Sequence, residues 1–270
     1  MRPTESPGEN ERMEAAPRVW LMPREHGAYA LVLAPLLTAF CRGEPSWAGL
    51  GFAVLAVAAF LAHEPALVLL GHRGVRAKRE LGAVARRALV RRGLVTVLAG
   101  AGALVVAPRA ALEAFIVLGV LGALQAFVAL RRAEKSDVGT LLLALSASLS
   151  GVPVALSNGW APEHAWLTAG VFAVTGALAM LTVRELIPKR RRAAGVLAYV
   201  GFLSVAVAVI ALVTRVLRGE VDPAFAWALV PTLSVAVGLL LVRPSPRRLR
   251  VVGWSLAAAK VATVVVLVLV

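Results

Sequence analysis

Cysteine, aspartate and charged residues in general are scarce in this chain of 270 residues. Cys41 is the only cysteine, which excludes a disulfide framework and a cysteine-rich zinc site. Charged residues make up 16% of the sequence, against roughly 25% in soluble domains, and hydrophobic residues reach 59%, against roughly 45–50%. This composition excludes a soluble globular domain and a disordered chain, because both contain far less apolar surface.

Apolar stretches long enough to cross a bilayer recur along the chain, separated by short charged segments. We expect nine of them, at residues 25–41, 47–70, 93–108, 110–130, 139–157, 165–183, 194–215, 224–242 and 251–270. The sequence therefore predicts an all-α fold, a polytopic integral membrane bundle of nine transmembrane helices. Residues 25–270 are expected to form a single transmembrane domain, and the polar residues 1–24 a cytoplasmic tail rather than a cleavable signal peptide.

The distribution of basic residues predicts how this bundle is oriented. Of the 29 lysines and arginines, 24 fall in the amino-terminal tail and in segments 71–92, 131–138, 184–193 and 243–250, and 4 fall on the other side. Short segments rich in Lys and Arg stay in the cytoplasm, so we expect a cytoplasmic amino terminus and an outside carboxyl terminus in a bacterial inner membrane. The net charge of +14 is explained by this topology and by anionic lipids. Membrane lipids are therefore expected partners, and nucleic acid is not.

Ionisable residues within or beside membrane spans are costly to bury and so mark candidate functional sites. They cluster at the predicted cytoplasmic ends of the first, second and sixth spans, and a glutamine lies in the fourth. The candidate site residues are Arg24, Glu25, His26, His63, Glu64, Arg73, Arg76, Arg79, Gln125, Arg184 and Glu185. Each has a structural alternative, because arginine can reach lipid phosphates from a span end and an ion pair can simply join two helices.

His63 and Glu64 are the candidate catalytic residues. A partly buried imidazole or carboxylate can act as a general base near neutral pH. Pro65 follows them and is expected to kink the second helix, because it lacks a backbone donor. Arg24, Arg73 and Arg184 are the predicted partners for Glu64, either in a site or in a structural link.

The arginines that follow the second and sixth spans suit an anionic ligand. The guanidinium fork of Arg73, Arg76, Arg79 or Arg184 binds phosphate or carboxylate through two hydrogen bonds. A diphosphate, a lipid head group and an internal glutamate would each satisfy this chemistry. No Walker A sequence, GxSxG elbow or HExxH helix occurs, and the histidines lack recognisable ligand spacing, so we assign no metal site.

Two polar residues lie deeper in the predicted spans. Gln125 in the fourth span is expected to face a polar cavity. Lys260, near the middle of the last span, is expected either to extend its amino group toward the head-group region or to pair with a carboxylate such as Glu113 or Glu64.

One family resemblance rests on a short segment at the start of the first span. The sequence Pro23-Arg24-Glu25-His26-Gly27-Ala28-Tyr29-Ala30, followed by a helix containing Pro35, resembles the opening of the YwiC-like family of bacterial membrane proteins. This resemblance is expected to extend over residues 20–270. It implies a multi-pass membrane protein.

A broader resemblance concerns architecture. Nine helices with polar segments after the second and sixth resemble the UbiA superfamily of intramembrane prenyltransferases, in which aspartate-rich segments at those two places hold magnesium and a prenyl diphosphate. This sequence has His63-Glu64-Pro65 and Arg184-Glu185 there, and its only aspartates are Asp137 and Asp222. The resemblance implies an isoprenoid or other amphiphilic ligand. Magnesium-dependent transfer is not expected from these residues, because magnesium usually requires carboxylates together with phosphate oxygens, and the cofactor stays unassigned.

Three functions remain open from the sequence. The first is a UbiA-like protein that binds or transfers an isoprenoid or another amphiphilic lipid at a cytoplasmic-facing pocket, as a prenyltransferase-like enzyme if it is catalytic. The second is a small transporter, and the third is a non-catalytic subunit or assembly factor of a membrane complex. We favour the first, because the candidate chemistry lies at the cytoplasmic edge and the spans show no inverted repeat. The sequence predicts neither the substrate nor the oligomeric state.

Overall fold

A computed structural model describes residues 21–22, 26–133, 136–187, 195–245 and 248–269. These residues form helices and no strand. The helices are α1 (His26–Cys41), α2 (Trp47–Leu69), α3 (Val75–Val106), α4 (Arg109–Leu130), α5 (Asp137–Leu149), α6 (Gly151–Ser157), α7 (Pro162–Leu186), α8 (Gly195–Leu217), α9 (Ala224–Trp227), α10 (Val230–Val242) and α11 (Leu249–Leu269).

The predicted class of fold is confirmed for the described residues. Eight stretches within them are long and apolar enough to cross a membrane, and the shorter apolar helix α1 makes the ninth. The chain is therefore a multi-pass membrane protein. Large apolar side chains such as Val97, Leu203 and Ile210 are exposed on the outside of the bundle, as expected of surfaces that contact lipid chains.

Two of the nine spans are each built from two helical segments. α5 and α6 together form one, and α9 and α10 together form another. In each, a proline lies four residues after the end of the first segment: Pro153 follows Leu149, and Pro231 follows Trp227. A proline ring clashes with the carbonyl group four residues before it, which explains why the first segment ends where it does.

Helix α3 begins well before the third predicted span, residues 93–108. Val75–Val106 is one continuous helix of 32 residues, about 48 Å long at 1.5 Å per residue. It contains no proline, and the basic residues of its first half are good helix formers. Arg92 joins this helix to α2, because its Nη1 donates hydrogen bonds to the carbonyl oxygens of Leu61 at 2.5 Å and Leu21 at 2.9 Å.

Helix α1 occupies a central position. It contacts α2, α5, α6, α7 and α11, while α2 and α3 form an antiparallel pair beside it. α7 also contacts α10 and α8, and α10 contacts α11. This arrangement places α1, α2, α4, α5, α7 and α11 around a common interior space.

Asn158, just after α6, forms hydrogen bonds to two other helical segments near the end of α1 and the start of α2. It is buried, and its Oδ1 accepts hydrogen bonds from the backbone N–H and the hydroxyl of Ser46, both at 3.0 Å. Its Nδ2 donates to the carbonyl oxygen of Ala39 at 3.2 Å. One side chain therefore connects α1, the start of α2 and the end of α6.

Candidate functional site

A cavity of about 1620 Å³ lies among α1, α2, α4, α5, α7 and α11. Most of its wall is apolar, with side chains such as Leu31, Leu55, Phe60, Phe115 and Leu256. Ligand pockets commonly measure about 300–1,000 Å³, so this cavity has room for a long apolar chain.

One end of the cavity is lined by charged and polar side chains, and we call it the ionic end. The residues there are His63, Glu64, Arg73, Gln125, Asp137, Arg184 and Arg250. They belong to the carboxyl-terminal parts of α2, α4 and α7, to the amino-terminal parts of α5 and α11, and to the turn after α2. Successive membrane helices run in opposite directions, so these parts meet at one side of the bundle. Polar groups from segments far apart in the chain are thereby brought together.

Glu64 and Arg73 form a two-pronged ion pair at this end. Arg73 Nε donates to Glu64 Oε1 at 2.8 Å, and Arg73 Nη2 donates to Oε2 at 2.5 Å. The turn that brings Arg73 back over α2 uses Gly71 and Gly74, both at positive φ, where residues with a Cβ are disfavoured. Of the three arginines predicted as partners of Glu64, the structure places Arg73 against it.

Asp137 and Arg184 form a second ion pair, between α5 and α7, with both side chains largely buried. Asp137 lies in the first turn of α5 and Arg184 in the last turn of α7, the ends at which the helix dipole favours each charge. Asp137 was not among the site residues predicted from the sequence. Ser136 caps α5 by accepting a hydrogen bond from Gly139, and an acidic residue after such a cap is an ordinary helix start.

Two buried polar atoms at the ionic end have no hydrogen-bond partner within the described part of the chain. They are Gln125 Oε1 and Arg184 Nε. Buried polar groups are nearly always paired, by protein, water or ligand. The two atoms belong to residues that line the same end of the cavity, so they indicate a place for a polar group from outside the described residues.

The other predicted site residues lie elsewhere. Arg76 pairs with Glu80 on the surface of α3 at 2.7 Å, and Arg79 is exposed on the same helix. Glu185 is half-buried beside Arg184 but does not line the cavity. The predicted residues Arg24 and Glu25 and the side chain of His26 lie outside the described residues.

Lys260, in the middle of α11, also lines the cavity, and its side chain is 4% exposed. Its Nζ donates hydrogen bonds to Thr175 Oγ1 at 2.6 Å and to the carbonyl oxygen of Phe172 at 3.0 Å. Both sequence expectations for Lys260, extension to the head-group region and pairing with Glu113 or Glu64, are therefore wrong. The partners are a hydroxyl and a backbone carbonyl of α7, which no sequence pattern connects to Lys260.

The donor set at the ionic end does not fit a magnesium site. The described residues include no group of three or more His, Cys, Asp or Glu side chains placed to hold a metal ion. Glu64 and Asp137 are each engaged by an arginine, and magnesium requires carboxylate oxygens that are free to coordinate it.

Comparison with known proteins gives one family. The family model described as YwiC-like protein matches residues 22–155, from just before α1 into α6. No curated protein and no solved structure matches the chain. The matched part includes His63, Glu64, Arg73, Gln125 and Asp137 of the ionic end. The resemblance expected over residues 20–270 is thus confirmed over residues 22–155, just under half of the chain, and in that part the protein matches the YwiC-like family.

Proposed function

We propose that this protein binds an amphiphilic lipid, an isoprenoid or another long-chain molecule, with the polar head at the ionic end and the chain in the apolar part of the cavity. The observation that supports this most strongly is the combination of a large apolar space with buried, unpartnered polar atoms at one end. An apolar pocket with a few convergent polar groups is typical of a ligand site.

The head group that fits best is anionic. Among the described residues that line this end, three are arginines (Arg73, Arg184 and Arg250) and two are carboxylates (Glu64 and Asp137), so positive charge is in excess among them. The unpartnered Arg184 Nε supplies a donor to a phosphate or carboxylate oxygen. Gln125 Oε1 supplies an acceptor for a hydroxyl group of the same head.

The ionic end is proposed to face the cytoplasm of a bacterial cell. The described parts of the basic segments 71–92, 131–138, 184–193 and 243–250 adjoin helix ends on this side of the bundle, and basic segments favour the cytoplasmic side. In this orientation residues 1–24 form a cytoplasmic tail on a single transmembrane domain, and a ligand enters or leaves from the cytoplasmic leaflet.

Binding is the function that the geometry supports best. A prenyltransferase-like transfer would need a base beside the head group, and His63 on the cavity wall is the residue placed for that role. Glu64 engages both of its oxygens with Arg73, so we assign it the positioning of Arg73. A transporter or a non-catalytic subunit would be favoured if the binding test below gave no saturable binding.

The test is binding of farnesyl diphosphate to the purified protein in lipid nanodiscs, with magnesium and with a chelator. We expect saturable binding that survives the chelator and weakens about tenfold or more in Arg184→Ala, because hydrogen bonds to charged groups contribute about 1.5–3 kcal/mol. Gly122→Phe should also weaken it, because Gly122 lines the cavity and a Cβ there meets no atom within 4 Å.

Gly102→Phe is the matched control. Gly102 on α3 is equally open, with no atom within 4 Å of a Cβ, but does not line the cavity. If Gly122→Phe and Gly102→Phe lowered the affinity for farnesyl diphosphate equally, the assignment of the cavity as the binding site would be contradicted. Absence of saturable binding in both conditions would overturn the proposal in favour of the transporter or subunit.

A further inference from the structure

A second polar region lies in the same cavity, far from the ionic end. Lys260 Nζ uses two hydrogen bonds, to Thr175 Oγ1 and to the carbonyl oxygen of Phe172. A lysine ammonium has three donors. The third donor of Lys260, a residue that lines the cavity, has no hydrogen-bond acceptor among the described residues, and Nζ also lies 5.1 Å from the centre of the Phe172 ring.

Thr232 of α10 lines the cavity as well, and its side chain is 1% exposed. Its Oγ1 has no hydrogen-bond partner among the residues that the structure describes. Other buried threonines, such as Thr182, donate to the carbonyl oxygen one helical turn earlier. A buried hydroxyl that makes no such bond is costly, so Thr232 indicates a polar atom supplied by a ligand.

The register of two antiparallel helices places Thr232 and Lys260 at the same depth. Thr263 Oγ1 on α11 donates to the carbonyl oxygen of Ala228, just before α10, at 2.9 Å. Lys260 precedes Thr263 by about one helical turn, and Thr232 follows Ala228 by about one turn. Because α10 and α11 run in opposite directions, Thr232 and Lys260 are displaced in the same direction from the Ala228–Thr263 hydrogen bond. They therefore lie at about the same depth in the bundle.

The separation of this region from the ionic end can be read along two helices. Lys260 lies ten residues from Arg250 on α11, and Thr175 lies nine residues from Arg184 on α7. At 1.5 Å per residue these separations are about 15 Å and about 14 Å. Gly253 and Ala257, which line the cavity between Arg250 and Lys260, continue the same apolar face of α11.

We infer that Lys260, Thr175 and Thr232 form an inner polar subsite that binds an oxygen atom of the ligand about 15 Å from its head group. The inference rests on the proposed function and narrows the ligand class to long-chain amphiphiles with a second oxygen, in a carboxylate or carbonyl group. Lys260 donates to this oxygen, and the hydroxyl of Thr232 donates beside it. A chain ending in a methyl group leaves both donors without partners.

Three probes test the subsite on the full-length protein in nanodiscs: tetradecanedioic acid, its monomethyl ester and tetradecanoic acid. We expect the diacid to bind about tenfold tighter than the monoacid, beyond the statistical gain of its symmetry, because a hydrogen bond to a charged group is worth about 1.5–3 kcal/mol. If the monomethyl ester binds as tightly as the diacid, the subsite accepts a carbonyl group. If the ester binds only as tightly as the monoacid while the diacid binds more tightly, the subsite requires a carboxylate. Both results support the subsite.

Thr232→Val and Lys260→Met should reduce the advantage of the diacid. Thr232→Val removes a hydroxyl that has no partner in the described chain, so the variant should fold as the parent does. Thr182→Val is the matched control, because Thr182 is equally buried and does not line the cavity. Equal affinities for all three probes, with monoacid binding intact, would overturn the subsite alone. Absence of binding for every probe and for farnesyl diphosphate would instead remove the proposed function.

Discussion

Arg184 at the end of α7 forms an ion pair with Asp137 at the start of α5. The two residues are far apart in the sequence, and their helices pack against each other along the wall of the cavity. The pair compensates two charges that would be costly to bury alone. Arg184 lines the cavity, and its Nε has no partner in the described chain, so one residue serves both the fold and the proposed binding site.

We expect Arg184→Gln and Asp137→Asn each to lower the free energy of unfolding by about 1–3 kcal/mol, because each leaves the other charge largely buried and unpaired. The measurement is SDS titration in mixed micelles. The double variant should lose less than the sum of the single losses. Arg109→Gln is the control, since Arg109 pairs with Glu113 on an exposed surface, where such pairs contribute about 0.3–0.5 kcal/mol. Additive losses in the double variant would contradict the pairing.

Glu64→Gln should disturb the protein far more than Glu163→Gln. The Glu64 side chain is 14% exposed and accepts two hydrogen bonds from Arg73, whereas the Glu163 side chain is 61% exposed and accepts a single hydrogen bond from Arg215. Thermal unfolding and binding of farnesyl diphosphate are the two measurements. If both variants are tolerated equally, Glu64 is not part of the site.

Asn158→Ala should lower the free energy of unfolding by about 2–3 kcal/mol. The substitution leaves the buried carbonyl oxygen of Ala39 and the half-buried N–H and hydroxyl of Ser46 without this partner. A buried group left without its hydrogen bond costs about 1–3 kcal/mol, and the groups of Ser46 cost less because they are only half-buried. Lipid binding at the ionic end should stay intact, because Asn158 does not line the cavity. Ser255→Ala, at an exposed position of α11, is the control. A similar loss of stability in that variant would contradict the role of Asn158 in connecting α1, α2 and α6.

The orientation is tested by cysteine accessibility in whole cells. Cys41 is exposed and is first replaced by alanine. In that background, a membrane-impermeant maleimide should label Glu44→Cys and Glu220→Cys from outside, and should label Lys78→Cys only after the cells are opened. Labelling of Lys78→Cys in intact cells would reverse the proposed topology or break the nine-helix order.

The order and number of spans could be predicted from the sequence, because burial of apolar side chains in lipid is a property of each segment by itself. The helix that contains the third predicted span, residues 93–108, begins earlier, at Val75. Charged residues such as Arg76 and Lys78 are good helix formers, and α3 continues through them into the apolar stretch. The apolar stretch thus predicted which residues cross the membrane, and it did not predict where the helix begins.

Pairing at the ionic end could be predicted only where the partners are close in the chain. Arg73 lies nine residues from Glu64, and it was among the predicted partners. Asp137 was missed, because its partner Arg184 is on another helix and nothing local distinguishes it from an ordinary residue of a first helical turn. The predicted roles of His63, Glu64 and Gln125 in catalysis or binding stay predictions.

By itself the sequence determined a multi-pass, all-α membrane protein and predicted that its basic segments lie on one side, because apolar length and local charge act segment by segment. Only the tertiary structure decided that one cavity joins the ionic end to Lys260 and Thr232. Those contacts depend on the register between antiparallel helices. That register is set by the packing and hydrogen bonding of many side chains together, as between Thr263 and Ala228, and a single helix contains no information about its neighbour's register.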